Sequence, residues 1–454
     1  MFSNWSIGRR GTAAAGILLL LLGLTASAVR IVVRYQTPGP PDGVNEGYCD
    51  FHNGIYFPSV ALVEGVSPYG SEYAASYPVS RQIPFFSPAI VAIHTPLTFL
   101  PLYVAEVLYF AIMVVLVIGI AVQSITAAGL ERRLDWVLLL AAAITFSRAG
   151  HVTLFNGYFT FELVFAAILA VRLAGPRPWL AALALVVVSA KPTYVLPLGL
   201  LMLARGNYKS LIYGALLSIA AAAMPLAWLA WNEGQGDIPR GLLEIRQQIT
   251  DAQEVHHNEP NELPALSWTR IDIFAIVSKW SDTDPDDVTH LVVMVAILAL
   301  PMLILYRRSR LGIDDGIAGL TGALIMIAMI VSLYRQSYDV LLCVPVFVGV
   351  IAGRLDAWRS LSRFKRTAIA LFIVFPAYNY LSTQMVLGRF DLSTEFVKVL
   401  TSLNAVALLC LLIWLCLIAW RLPGLLEQNG EYCHLNREKP SQQNSDPAEP
   451  VRLV

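Results

Sequence analysis

Long apolar runs separated by short polar stretches dominate this chain. A helix needs about 20 mostly apolar residues to cross the hydrocarbon core of a bilayer, so apolar runs that end at charges can be counted as candidate spans. Twelve runs are present, near residues 12–33, 103–125, 135–147, 152–171, 178–190, 193–204, 209–231, 289–306, 316–333, 338–353, 367–385 and 396–420. The pattern therefore predicts an all-α polytopic membrane protein with about 12 transmembrane helices.

Positively charged residues test this count independently, because they are enriched in cytoplasmic loops. With a cytoplasmic N-terminus, twelve spans place all the short basic loops inside, namely those at residues 132–133, 172–177, 205–209, 307–310 and 354–366. The alternation holds only if residues 84–101 do not cross the membrane. The prolines inside this segment predict a broken helix that lies at the outer surface.

This topology predicts a single transmembrane domain over residues 1–420, followed by a cytoplasmic, disordered tail over residues 421–454. Two large outer loops, residues 34–102 and 232–288, would carry surface helices. The composition agrees, because 56% of the 454 residues are hydrophobic and 14% are charged, which excludes an ordinary soluble domain. A formal net charge of zero gives no support to nucleic-acid binding.

Ionisable residues that stand near the predicted span ends gather on the outer side: Asp50, Arg148, His151, Lys191, Arg335 and Asp339. Any one of them could be an interfacial anchor. Lys191 is the most informative, because an extracytoplasmic lysine opposes the orientation bias and Pro192 breaks the helix beside it. Lys191, Arg148 and Arg335 around one acid suit an anionic ligand such as a phosphate. Glu162, inside the fourth run, is expected to hydrogen-bond between helices.

Two features could suggest a metal site, and neither has the required spacing. The five cysteines show no CxxC or other metal-like pattern. In the second outer loop, His256 and His257 lie close to Glu254 and Glu259, but adjacent histidines point in different directions on a helix. We expect these histidines in a solvated loop that folds over a site. We predict no metal and no cofactor.

Several segments resemble, in order, the motifs of a known family. They read "CDFHNGIYFPSVALVEGVSPYG", "FSPAIVAIHTPLTFLP", "GHVTLFNGYFTFELV", "SAKPTYVLPLGLLML" and, more weakly, "SLYRQSYDVLL". These segments resemble the GT-C class of polytopic glycosyltransferases, and specifically glycosyltransferase family 87, whose members use polyprenyl-phosphate sugars. The chain departs from the family at His151, where a glutamine is usual, and at Pro58, which interrupts the helix after Asp50.

The resemblance implies a GT-C-like fold and an inverting transfer of a sugar, by resemblance mannose, on the extracytoplasmic side of a bacterial plasma membrane. Asp50 would be the catalytic base at the mouth of a cavity, while Lys191, Arg148 and Arg335 would bind the donor's phosphate. Four further residues would contact the sugar or support those that do: His151, Asn156, Asp339 and Tyr69. The partners would be a polyprenyl-phosphate-linked sugar donor, a glycan or glycolipid acceptor, and membrane lipids. The apolar residues of segment 54–65 would lie in the membrane interface.

Two other functions remain open. A transporter or flippase for a lipid-linked or anionic solute would use the same cations to bind its substrate during alternating access. A membrane scaffold would have lost activity altogether. The large, acid-bearing first outer loop and the lack of an internal repeat favour the enzyme. For Asp50 itself, the alternative is that it only caps the helix that begins at Phe51.

Overall fold

The computed structural model describes residues 2–35, 47–79, 87–257, 263–283 and 285–428. These residues are mostly helical, and none of them lies in a β-strand. The first helices are α1 (Phe2–Val33), α2 (Cys49–Phe51), α3 (Phe57–Glu64), α4 (Ser71–Ser76), α5 (Pro88–His94), α6 (Leu102–Ala127), α7 (Leu134–Phe146), α8 (Arg148–Asn156), α9 (Thr160–Leu173), α10 (Pro178–Val188) and α11 (Pro192–Ala204).

The chain continues with α12 (Tyr208–Glu233), α13 (Ile238–His257), α14 (Ile273–Ser281), α15 (Asp287–Arg310), α16 (Leu320–Ser332), α17 (Val344–Ala352), α18 (Asp356–Arg359), α19 (Arg363–Tyr378), α20 (Gln384–Leu387) and α21 (Thr394–Gln428). A π-helical turn at His52–Tyr56 joins α2 to α3, and 3₁₀ turns lie at Thr95–Phe99 and Ser337–Cys343. The one feature of β type among the described residues is an isolated antiparallel bridge between Arg270 and Gln336.

Five of the described helices are long and apolar enough to cross a membrane: the Gly11–Val33 part of α1, α6, α12, α15, and the Thr394–Arg421 part of α21. Helices α7 and α8 give a sixth candidate if they are counted as one span bent by 73°. Other apolar runs form shorter helices, among them α10, α11 and α16. The predicted all-helical membrane protein is therefore confirmed, whereas the number of about 12 spans is not.

Local signals in the sequence explain why several apolar runs form short helices. The Ser147 hydroxyl accepts a hydrogen bond from the Gly150 N–H at 2.9 Å and begins α8 as its N-cap. Gly157 ends α8 in the left-handed region, with φ of 71°. Pro192 is the first residue of α11, and Lys191 before it is extended.

Three segments differ from expectation. The run 152–171 is not one helix, because the break at Gly157 separates α8 from α9. The apolar residues of segment 54–65 do not lie in a membrane interface, since Ile55, Phe57 and most of their neighbours are buried inside the protein. The predicted start of the tail at residue 421 lies within a helix, because α21 continues to Gln428; residues 429–454 lie outside the described part of the chain. The predicted break within residues 84–101 is present, as α5 passes into the 3₁₀ turn Thr95–Phe99.

Helix α16 lies at the centre of the core. All its residues are buried, and it packs against α11, α15 and α21. Most of the residues from Arg335 to Cys343, which follow α16, are buried as well. Glu162 on α9 links two other helices of the core. Its carboxylate accepts a hydrogen bond from the Tyr109 hydroxyl of α6 at 2.8 Å and lies 3.0 Å from Nε2 of His94 on α5. The predicted interhelical role of Glu162 is thereby confirmed.

Candidate active site

Asp50 lies in the first turn of α2 and is buried. Its carboxylate Oδ2 accepts a hydrogen bond from Asn156 Nδ2 at 3.1 Å. The Tyr48 N–H donates to the Phe155 carbonyl at 2.8 Å, so a backbone contact and a side-chain contact both fix α2 to the end of α8. Tyr48, and not Asp50, occupies the N-cap position of α2. The carboxylate is therefore held by a neighbouring helix rather than by the N–H groups that a capping residue would satisfy.

Two residues with positive φ allow this close approach. Gly157 has φ of 71°, and a Cβ added there would lie 2.8 Å from the Cβ of Phe51, so a side chain at this position would collide with α2. Tyr48 has φ of 66° without the conformational freedom of glycine. Backbone strain of this kind clusters at functional sites. The π-helical turn that follows Phe51 is a second feature that is frequent at such sites.

Lys191 lies at the break between α10 and α11, with 6% of its surface exposed. Its Nζ lies near the ring centroids of four tyrosines, here named the tyrosine cage: Tyr158 at 5.4 Å, Tyr194 at 5.6 Å, Tyr334 at 5.6 Å and Tyr338 at 5.7 Å. An ammonium group within about 6 Å of a ring centroid is attracted by the ring's quadrupole. The cage therefore stabilises a positive charge where little water reaches it.

The three residues Asn156, Gly157 and Tyr158 connect these two environments. Asn156 donates to the Asp50 carboxylate, and Tyr158, two residues later, lies over the Lys191 ammonium. Gly157 between them provides the turn that ends α8. One short break in the chain thus positions a carboxylate on one side and a cation on the other.

Arg335 and Asp339 both contact the cage through Tyr194. The Arg335 guanidinium is fully buried, lies 4.2 Å from the centroid of the Tyr194 ring and donates to the carbonyls of Tyr334, at 2.7 Å, and Thr193. Asp339 accepts from the Tyr194 hydroxyl. Its second oxygen accepts from the Gln336 N–H at 2.9 Å, which closes a capping box. Arg335 and Asp339 thus stabilise the cage through their contacts with Tyr194.

Arg148 and His151, on the same helix as Asn156, have different neighbours. Arg148 is buried and donates to the Asn379 carbonyl at 3.0 Å and to the Ser382 hydroxyl at 2.8 Å. His151 Nε2 lies 2.6 Å from a guanidinium nitrogen of Arg30, and His151 Nδ1 lies 3.1 Å from the Ser27 hydroxyl. An arginine can only donate, so Nε2 accepts and the ring carries its proton on Nδ1. His151 is therefore a neutral histidine that supports Arg30 on α1.

The remaining predicted residues are Tyr69, His256 and His257. Tyr69 is buried in the turn before α4, where the neighbouring Ser67 N–H donates to Glu233 at 3.2 Å. His256 and His257 end the helix α13 instead of lying in an irregular loop, and their side chains are outside the described part of the structure. Within that part, no group of three or more His, Cys, Asp or Glu side chains could hold a metal ion.

Sequence reasoning missed the tyrosine cage and a contact between His52 and Glu106. No helical spacing indicated the cage, because Lys191 is extended before α11 and Tyr334 lies before the 3₁₀ turn that contains Tyr338. The contact joins His52 Nε2 to a carboxylate oxygen of Glu106 at 2.6 Å and links the π-helical turn to α6. Nothing in the local sequence indicated the contact between His52 and Glu106, because the two residues are 54 positions apart.

The region around these residues identifies the family. The family model of glycosyltransferase family 87 matches residues 85–332, which is 248 of the 454 residues. The chain belongs to glycosyltransferase family 87. The matched region of this glycosyltransferase contains Arg148, Asn156 and Lys191, whereas Asp50 and Arg335 lie outside it. No curated protein and no solved structure matches the chain. Membership of family 87, together with the apolar helices, makes the protein a membrane glycosyltransferase.

Proposed function

We propose that this family 87 glycosyltransferase transfers a sugar from a polyprenyl-phosphate donor to an acceptor hydroxyl, with inversion, and that Asp50 is the general base. The supporting observation is the break at residues 156–158, which holds the Asp50 carboxylate through Asn156 and surrounds the Lys191 ammonium through Tyr158. A base and a cation at neighbouring places are what a displacement with an anionic leaving group requires.

In the proposed reaction, the acceptor oxygen forms a bond to the anomeric carbon while its proton passes to the Asp50 carboxylate. The bond between the anomeric carbon and the phosphate oxygen breaks, and polyprenyl phosphate leaves with the electron pair. Lys191 stabilises the negative charge that this phosphate oxygen gains. One displacement suffices, because a phosphate is already a competent leaving group.

The other polar residues have supporting roles in this reaction. Arg335 and Asp339 hold Tyr194 and with it the cage. Asn156 orients the base, since its amide donates to one oxygen of the carboxylate. We further propose mannose as the sugar, a glycan or glycolipid as the acceptor, and the extracytoplasmic side as the place of reaction, because the segments that resemble family 87 carry these expectations.

Asp50→Asn tests the proposal. Asparagine keeps an oxygen that can accept from Asn156 but cannot take a proton, so folding should be preserved. Purified protein is first screened against polyprenyl-phosphate sugars to find the donor that it consumes. With that donor, Asp50→Asn should lose about 10²–10⁴ in turnover, the usual contribution of a general base. Donor affinity should change little.

The matched control is Glu72→Gln, which neutralises an exposed carboxylate on α4. It should retain wild-type turnover. Near wild-type turnover by Asp50→Asn would refute the assigned base. A wild-type protein that moves a lipid-linked sugar across a vesicle membrane without forming a glycoside would support the flippase instead.

A further inference from the structure

A short segment from the connection between α12 and α15 pairs with the residues that follow α16. We name residues 267–272 the clasp. Its Arg270 forms the antiparallel bridge with Gln336. The Ile271 N–H donates to the Arg335 carbonyl at 3.0 Å, and the Arg335 N–H donates to Asp272 Oδ2 at 3.1 Å. The clasp is therefore attached to the backbone on both sides of Arg335.

The clasp also carries a buried ion pair of fixed geometry. Arg270 Nε and an Nη donate to the two oxygens of Asp272 at 3.0 and 2.9 Å. Both side chains are buried, and Asp272 additionally accepts from the Ala275 N–H at 3.2 Å as the N-cap of α14. A bidentate pair fixes the plane of the guanidinium as well as its distance. Arg270 thus has one orientation relative to α14.

Tyr334 links this ion pair to the tyrosine cage. The Arg270 guanidinium lies 4.8 Å from the centroid of the Tyr334 ring, and the Lys191 ammonium lies 5.6 Å from the same centroid. Gln336 Nε2 donates to the Tyr334 hydroxyl at 2.6 Å. The position of the ring is therefore set by the clasp and by the bridge residue Gln336, and the ring in turn limits where the Lys191 ammonium can lie.

We propose that Tyr334 is a positioning residue for donor binding, through which the clasp fixes the place of the Lys191 ammonium. This inference rests on the proposed role of Lys191 in binding the donor's phosphate. It adds that residues 267–272, which lie in the predicted second outer loop, form part of the donor site. The tyrosine acts through its ring and through Lys191, without itself touching the reacting atoms.

The experiment measures binding of polyprenyl phosphate, and of the polyprenyl-phosphate sugar that the enzyme consumes, to Tyr334→Leu and Tyr334→Phe. Tyr334→Leu removes the ring and should weaken both affinities about tenfold, because a desolvated cation–π contact contributes roughly that factor. Turnover at saturating donor should stay within about threefold, so KM changes and kcat does not. Tyr334→Phe keeps the ring and should restore affinity to within about threefold of wild type.

Arg270→Lys tests the clasp itself, since lysine keeps the charge but cannot pair with Asp272 in bidentate fashion. We expect donor affinity to fall about threefold or more, and we expect Arg270→Lys combined with Tyr334→Leu to bind no worse than Tyr334→Leu alone. Additive losses in the double variant would overturn the coupling. Tyr213→Leu, at an exposed tyrosine of α12, is the matched control and should bind as wild type does.

Lys191→Gln separates a failure of this inference from a failure of the proposed function. If Lys191→Gln loses donor binding while Tyr334→Leu binds normally, Lys191 binds the donor and Tyr334 does not position it. If Lys191→Gln binds the donor normally, the proposed site is wrong, and the role of Tyr334 fails with it. Should Tyr334→Leu not fold, as judged by thermal unfolding of the purified protein, Arg270→Lys decides: unchanged donor affinity in that folded variant overturns the inference.

Discussion

The two ends of helix α8 face different parts of the protein. At its C-terminal end, Asn156 donates to the Asp50 carboxylate, and the chain turns at once toward the cage around Lys191. Toward its N-terminal end, Arg148 donates to residues of the 379–382 turn, and His151 contacts α1. Polar residues of one nine-residue helix thus belong to two environments. The end of a helix, where the backbone can turn, is where distant segments are brought together.

The largest effect on donor binding is expected from removing the cations of these two environments one at a time. Lys191→Gln removes a charge that the proposal places on the donor's phosphate, and it should weaken donor binding about 10- to 150-fold, since a hydrogen bond to a charged group contributes about 1.5–3 kcal/mol. Arg148→Gln should change donor affinity less than about threefold. It should instead lower thermal stability, because the Asn379 carbonyl and the Ser382 hydroxyl lose a buried donor.

Lys279 provides a matched control for Lys191. It is also a buried lysine, but its Nζ has no hydrogen-bond partner in the described structure, and burial lowers its pKa to about 8 despite the nearby Asp272. Lys279→Met should leave donor binding unchanged and raise stability, because an apolar side chain replaces a desolvated amine. Equal losses of donor affinity in Lys191→Gln and Arg148→Gln would show that Arg148 and Lys191 bind the same phosphate, as the sequence predicted.

A smaller effect is expected at the contact between α8 and Asp50. Asn156→Ala leaves the Asp50 carboxylate without one donor, and kcat should fall about tenfold, the equivalent of about 1.4 kcal/mol. Donor affinity should not change, because Lys191 and the cage keep their contacts. Reduced donor affinity with unchanged kcat would mean that Asn156 binds the sugar and does not orient the base.

Asn156→Asp gives the same contact a pH signature. A second carboxylate beside Asp50 disfavours ionisation of the first, so the pKa of the Asp50 carboxyl should rise. A general base must be deprotonated to act, and the acid side of the kcat/KM profile should therefore move to higher pH. Profiles of wild type and Asn156→Asp measured with the same donor check this shift. An unmoved acid limb would exclude Asp50 as the titrating base.

How well the sequence predicts a feature of this molecule depends on how far apart along the chain the contacting residues are. Periodicity and turn residues predicted the helical membrane protein, the break at Pro192 and the role of Glu162, because these follow from local sequence and hydropathy. The number of spans is not confirmed, since short runs such as α8 and α10 depend on what packs around them. The fourth run was predicted as one helix because hydropathy does not register the left-handed turn at Gly157.

The residues of the candidate site also fall into those with a signal in the local sequence and those without one. Asp50, Asn156 and Lys191 carry signals within their own segments, a resemblance for the first two and an unusual charge beside a proline for the third. The cage and the clasp do not, because Tyr158 and Tyr338 come together across 180 residues and Arg270 meets Tyr334 across 64. Pairings at such separations are decided by how helices pack, and a single sequence contains no direct record of that packing.

The smallest expected effect is at His151, in the second environment. Both of its ring nitrogens are occupied, Nε2 as the acceptor from Arg30 and Nδ1 as the donor to Ser27. In His151→Gln the amide oxygen can accept from Arg30 and the amide nitrogen can donate to Ser27, so turnover should stay within about threefold of wild type. Protonating His151 would place an N–H against a guanidinium, which is unfavourable. The activities of wild type and His151→Gln should therefore follow the same pH dependence from about pH 5.5 to 8.

His151→Leu is the informative companion, since it leaves Arg30 without an acceptor. It should cost about 1–3 kcal/mol of stability while the folded fraction still binds donor. A well-folded His151→Gln protein without activity would move the proton-transfer role from Asp50 to His151, and with it the site from one end of α8 to the other.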